Sequence, residues 1–134
     1  MTITPERPAA RHGLSLEAIS SHGRRVLCCA ATGRLTHADY SAFIPQIEAA
    51  LANHPAEENR LLFDTAGLEG WDLRAAFDDL NFGRTHADQI GKVAVLAPGQ
   101  LIELSCRIAN ALHLYGQELR CFSDREEALA WLTR

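Results

Sequence analysis

Three short apolar runs recur along the chain, and each is separated from the next by a segment with helical spacing. The runs lie at residues 26–31, 61–63 and 93–96, and apolar residues recur every three or four positions between them. Continuous apolar runs are typical of strands buried on both faces, as in parallel sheets. Such strands, alternating with helices, are joined by right-handed crossovers. The pattern predicts an α/β domain with a mostly parallel sheet.

Residues on both sides of these runs complete the predicted order, which is ββαβαβαβα. Apolar and polar residues alternate over 14–19, and a turn at 21–23 predicts a hairpin with the strand at 26–31. A further amphipathic helix is expected over 101–112, followed by an edge-like strand. Residues 1–13 are interpreted as a flexible tail and residues 14–134 as one domain.

Capping residues mark where the helices should begin. Thr36 is expected to cap the first helix, Asp72 the second, and Ser123 with Glu126 forms a capping box before the last. Pro45 falls inside the first helix and predicts a kink there without ending it, because the apolar face continues beyond it.

Charge and hydropathy exclude several classes of function. Asp and Glu outnumber Lys and Arg by 17 to 13, a net charge of -4, which argues against a nucleic-acid partner. The sequence contains no run of about 18 apolar residues, so we expect no membrane span. The start of the chain has no apolar segment of the secretory kind, so we expect a cytoplasmic protein.

The reactive side chains indicate no enzyme, metal site or cofactor. Cysteines stand at positions 28, 29, 106 and 121 without metal-ligand spacing, and we expect buried free thiols. The six histidines form no i, i+4 pair. The carboxylates of Glu69, Asp72, Asp78 and Asp79 are interpreted as a solvated acidic face.

Several segments together resemble the SpoIIAA-like branch of the STAS superfamily. They are GRLTHADY at 33–40 with Pro45, LLFD at 61–64, EGWD at 69–72, VAV at 93–95 and EEALAWL at 126–132. The resemblance covers roughly residues 14–134 and implies a small sheet covered by helices. It also implies relatives of two kinds. Anti-sigma-factor antagonists bind a protein kinase and are switched by phosphorylation of a serine at a helix start, whereas CRAL-TRIO-like proteins hold apolar ligands between helices and sheet.

The chain departs from the antagonists at the junction that carries their switching serine. That junction reads GWDL at 70–73 and has no hydroxyl, so Asp72 stands in place of the phosphoacceptor as a fixed negative charge. Thr65 superficially resembles the acceptor motif but falls several residues too early. The resemblance therefore favours a non-catalytic binding or regulatory domain that acts through a protein partner or as a homodimer.

The alternative is a carrier or sensor of a small apolar, lipid-like ligand. Crevices at the carboxyl ends of parallel strands bind ligands in open α/β sheets, and Trp71 lies at such an end. The candidate ligand-binding residues are Leu68, Trp71, Leu73 and Phe77. A purely structural role, in which Trp71 packs on Ala76 as a helix staple, remains equally open.

The helix expected over 101–112 is apolar around most of its circumference. Ile102, Cys106 and Ala109 lie off the stripe that should face the sheet, so they are candidates for a homodimer interface. The alternative is that a neighbouring helix or the N-terminal tail covers them.

Overall fold

The computed structural model describes residues 12–97, 99 and 118–134, apart from the side chains of Phe77 and Leu80. Two short 3-10 helices, Ala56–Glu58 and Ala87–Gln89, lie within connections. The remaining elements, in chain order, are β1 Gly13–Ser21, β2 Arg24–Leu35, α1 His37–Leu51, β3 Arg60–Trp71, α2 Leu73–Thr85, β4 Lys92–Leu96, β5 Glu118–Phe122 and α3 Arg125–Thr133. The predicted helix at 101–112 lies outside the described residues.

The five described strands form one sheet in the order β1-β2-β3-β4-β5. β1 is antiparallel to β2, and the other three pairs are parallel. The tight β1–β2 turn places His22 at φ 52° and Gly23 at φ 75°, the left-handed backbone that hairpin turns need. The predicted mixed α/β domain with a mostly parallel sheet is confirmed.

Helices pack on both faces of the sheet, which explains why the central strands are continuously apolar. Adjacent strand residues belong to opposite clusters: Leu61 packs on the α1 side with Phe43, whereas Leu62 packs on the α3 side with Leu129 and Trp131. Because both faces are buried, no polar alternation is tolerated at the centre of β2, β3 and β4.

Two strands are longer than the sequence pattern predicts. β3 continues from the apolar run through the segment expected to be a loop, and it ends only at Trp71. This extension pairs with an equally extended β2, Gly33 with Leu68 and Leu35 with Trp71, across two register irregularities. Gly70 adopts φ 145°, a backbone conformation that favours glycine. The prediction of a loop was wrong because backbone pairing, not apolar content, maintains these strand ends.

The helix starts agree with their predicted caps in two of three cases. Thr36 caps α1 and forms a capping box with Asp39, and α1 continues through Pro45 to Leu51. Asp72 caps α2. For α3, however, the cap is Asp124 rather than Ser123, since the Asp124 carboxylate accepts the N–H of Glu127. Gly13, assigned to the tail, begins β1, and residues 1–11 lie outside the described residues.

Candidate functional site

The carboxyl ends of β2 and β3 bring the starts of two helices together. Leu35 and Trp71 are register partners at these ends, and the caps Thr36 and Asp72 follow them directly. The backbone N–H of Asp72 donates to the carbonyl of Leu35 at 2.9 Å. The two helix N-termini are thus joined at the edge where open α/β sheets bind ligands.

Asp72 provides a fixed negative charge at this edge. Its carboxylate accepts the backbone N–H of Ala75 at 2.8 Å, which satisfies one of the donors that a helix start leaves unpaired. The positive end of the α2 dipole favours the same charge. The capping role predicted for Asp72 is confirmed.

Trp71 is tied to α1 through its indole nitrogen. Its Nε1–H donates to the Tyr40 hydroxyl at 2.9 Å, and that hydroxyl donates to Oδ1 of Asp79 at 3.0 Å. The ring packs against a cluster that includes Tyr40 and Ala75, whereas Ala76 is exposed. Trp71 therefore links β3 to both helices, and the α2 residue in its cluster is Ala75 rather than the predicted Ala76.

The predicted ligand-binding residues do not all share one environment. Leu68 and Trp71 are half-buried and pack on the same cluster of Ala31, Leu35, Tyr40 and Ala75. Leu73, in contrast, is 77% exposed at the first position of α2. Phe77 lies on α2, but its side chain is outside the described part of the structure. The structure brings Leu68 and Trp71 together and leaves Leu73 facing solvent.

Two histidine–carboxylate contacts, which the sequence pattern did not reveal, connect α1 to α2. His37 Nδ1, at the start of α1, lies 2.6 Å from Oδ2 of Asp78, in the middle of α2. His86, which is buried, stacks on Phe82 and places Nε2 3.0 Å from Oε2 of Glu48. Asp78, through His37, and Asp79, through Tyr40, therefore bind α1 rather than forming a plain solvated acidic face.

The described cysteines and Thr65 are buried or half-buried within the fold. Burial raises the pKa of Cys29 to about 12, and it raises the pKa of half-buried Cys28 despite the nearby Arg125 guanidinium. Thr65 is buried, and its hydroxyl donates to the carbonyl of Leu96 at 2.7 Å, so it is not placed as an accessible acceptor. Cys121 is half-buried.

Some of the remaining predictions fall on residues that the structure describes, and others fall outside them. Ile102, Cys106 and Ala109 lie outside the described residues, so the interface proposed for them stays a prediction. In the described part of the chain, no three His, Cys, Asp or Glu side chains gather closely enough to hold a metal ion. Over residues 12–97, 99 and 118–134, no helix has the length and apolarity needed to cross a bilayer.

Comparison with known proteins identifies what the chain is similar to. The SpoIIAA-like family model matches residues 26–133. The crystal structure of an uncharacterised DUF3478-family protein from Shewanella loihica PV-4, with a SpoIIAA-like fold, is 35% identical with a TM-score of 0.84; the match covers 95% of this chain and 99% of that one. The unphosphorylated anti-sigma factor antagonist SpoIIAA is 16% identical with a TM-score of 0.62, covering 90% and 97%, a likeness of fold alone. No curated protein sequence matches the chain.

Proposed function

The chain belongs to the SpoIIAA-like family, and from this membership we propose that it is a non-catalytic, STAS-like regulatory domain that acts by binding a protein partner. The anti-sigma factor antagonist that shares the fold has been described in its unphosphorylated form, and the resemblance to such antagonists implies a switch by phosphorylation of a serine at a helix start. In this chain the position of the switching serine is occupied by Asp72, according to the resemblance between the two junctions. We propose that the carboxylate fixes the domain in one state.

The observation that carries this proposal is the pairing of Asp72 with exposed Leu73 at the start of α2. A single exposed leucine is common on protein surfaces. This one, however, follows a charged cap at the carboxyl edge of the sheet, the edge at which such folds bind other molecules. An apolar anchor beside a fixed charge is suited to recognition of a protein surface.

Affinity capture from the native cytosol tests the proposal. We compare the wild-type chain with Leu73→Asp, which removes the exposed anchor without disturbing the core, and with Ser20→Asp, which adds the same charge at an exposed position of β1. A partner retained by wild type and Ser20→Asp but lost with Leu73→Asp supports binding at this edge. If both variants retain the partner, the contact lies elsewhere.

Phosphorylation tests the fixed state separately. Incubation with a cytosolic extract and ATP should leave residues 64–73 without phosphate, because no hydroxyl stands at the helix start and Thr65 is buried. Phosphate mapped to this segment by peptide mass spectrometry would contradict the replacement of the switch by Asp72.

The second candidate function is a carrier of a small apolar ligand, favoured by the half-buried pair Leu68 and Trp71 at the same edge. Native mass spectrometry of freshly purified protein distinguishes the candidates: an added small-molecule mass supports the carrier, and a doubled mass supports a homodimer.

Fatty acids should then change the fluorescence of Trp71 more than that of buried Trp131. If Trp71→Phe leaves the ligand-induced signal intact, the site is elsewhere.

A homodimer through the helix expected over 101–112 is part of the same proposal. Light scattering at micromolar concentration should report a dimer that Ile102→Glu splits. A monomeric mass unaffected by that change would remove the dimer from the proposal. The cytoplasmic location also stays a prediction.

A further inference from the structure

Three polar side chains meet where the first turns of α1 face α2. His37 and Ser41 are one helical turn apart on α1, so their side chains share a face. Asp78 reaches them from α2. The imidazole lies between the other two, with Nδ1 2.6 Å from the Asp78 carboxylate and Nε2 3.3 Å from the Ser41 hydroxyl oxygen.

In the neutral imidazole, the two contacts select which nitrogen carries the hydrogen. A carboxylate only accepts hydrogen bonds, so the Nδ1 that faces Asp78 must donate. In the neutral ring the other nitrogen, Nε2, then carries a lone pair. That lone pair faces the Ser41 hydroxyl, from which it can accept a proton.

The exposure of the three side chains also fits a nucleophile, its base and an orienting acid. Ser41 is exposed, and the His37 side chain is 40% exposed, so a small reagent can reach both. Asp78 is more buried, with 23% of its side chain exposed. A contact of 3.3 Å is slightly long for proton transfer, but such contacts commonly tighten when a reagent binds.

We propose that Ser41 is a nucleophilic serine that accepts an acyl group from an activated ester. His37 activates Ser41 as its base, and Asp78 orients His37. The Ser41 oxygen bonds to the carbonyl carbon, and the bond from that carbon to the leaving oxygen breaks. The hydroxyl proton passes to Nε2 of His37 and then to the leaving alcohol. The product is one acyl ester on Ser41, a stoichiometric modification that needs neither the partner proposed above nor Asp72.

p-Nitrophenyl acetate is the test reagent. Trypsin releases residues 35–60, which contain Ser41, and separately residues 12–24, which contain exposed Ser20 as an internal control. Tandem mass spectrometry should locate an acetyl group on Ser41 that forms at least about 100-fold faster than on Ser20, since a positioned base contributes roughly 10²–10⁴-fold. Equal rates at the two serines would overturn the proposal.

Variants separate the roles of the three residues. His37→Gln should slow acetylation of Ser41 by about 100-fold, and an unchanged rate would exclude His37 as the base. Asp78→Asn should slow it as well, and Asp78→Glu should restore part of the rate, a recovery that a merely structural role does not predict. Circular dichroism melting of each variant confirms that the comparison is made on folded protein; if His37→Gln does not fold, the comparison of Ser41 with Ser20 in the wild-type chain still decides.

Discussion

Asn59 is completely buried, and its side chain holds three chain segments together. Its amide nitrogen donates to the carbonyl of Gln89 at 2.8 Å and to those of Leu51 and His54 at 3.2 and 3.4 Å. Its amide oxygen accepts from Arg25 at 2.9 Å. Leu51 ends α1, so its carbonyl is one that the helix cannot satisfy itself. Asn59 therefore caps α1 and joins it to the start of β3 and to the segment before β4.

Replacing this side chain should be costly because it removes the donor to three carbonyls and the acceptor of Arg25 from a completely buried position. Each hydrogen bond contributes about 0.5–1.5 kcal/mol, and each buried group left unsatisfied costs about 1–3 kcal/mol. For Asn59→Ala we expect a loss of about 3–5 kcal/mol, a large share of the roughly 5–15 kcal/mol that a domain has in total. At about 4 °C per kcal/mol, the melting temperature should fall by roughly 10–20 °C.

Urea unfolding followed by circular dichroism measures this loss, and two further variants isolate its cause. Asn59→Asp preserves the volume but removes both donors, so it should also lose at least about 2 kcal/mol if hydrogen bonding, not packing, is responsible. Asn53→Ala, in the exposed turn after α1, should change stability by less than about 0.5 kcal/mol. A loss below about 1 kcal/mol for Asn59→Ala, or an Asn59→Asp protein as stable as wild type, would refute the reasoning.

Three other predictions concern single side chains. Asp72→Ala should cost about 0.5–2 kcal/mol in urea unfolding, through loss of the α2 cap, and an unchanged midpoint would contradict that role. Partial burial raises the pKa of Asp39, but hydrogen bonds from Thr36 and His12 outweigh it and leave the pKa below its usual value. The resulting stability is present above about pH 4 and is lost as pH falls through the folded-state pKa, so Asp39→Asn should flatten the acid limb of a stability–pH curve. Because burial raises the pKa of Cys29 to about 12, iodoacetamide at pH 8 should alkylate it only after unfolding; modification in the folded protein, read by peptide mass spectrometry, would disprove its burial.

Local chemistry explains which sequence predictions were confirmed. The buried strands, the hairpin turn and the caps Thr36 and Asp72 each depend on residues close in sequence, and those residues carry the signal themselves. The cap of α3 was predicted one residue early, since Ser123 and Asp124 are both good caps and only the backbone geometry selects between them.

Predictions about the site were less complete because the site depends on contacts between distant segments. Leu68 and Trp71 do lie together, but exposed Leu73 does not join their cluster. The hydrogen bond from Trp71 to Tyr40 spans 31 residues. No pattern within either segment indicates such a partner, because an aromatic or acidic side chain on a helix face looks the same whether it faces solvent or another helix.

The amino-acid sequence by itself determined the class of fold, since apolar runs of strand length that alternate with amphipathic helical segments are typical of a sheet covered by helices on both faces. It also determined where α1 and α2 begin, because a capping side chain acts on backbone groups two or three residues away. Only the tertiary structure decided that β3 extends to Trp71, that Asn59 caps a helix eight residues before it, and that His37 lies between Asp78 and Ser41. The reason is physical: hydrogen bonds between segments depend on the register of the sheet and the packing of helices on it, and neither is encoded within any one segment.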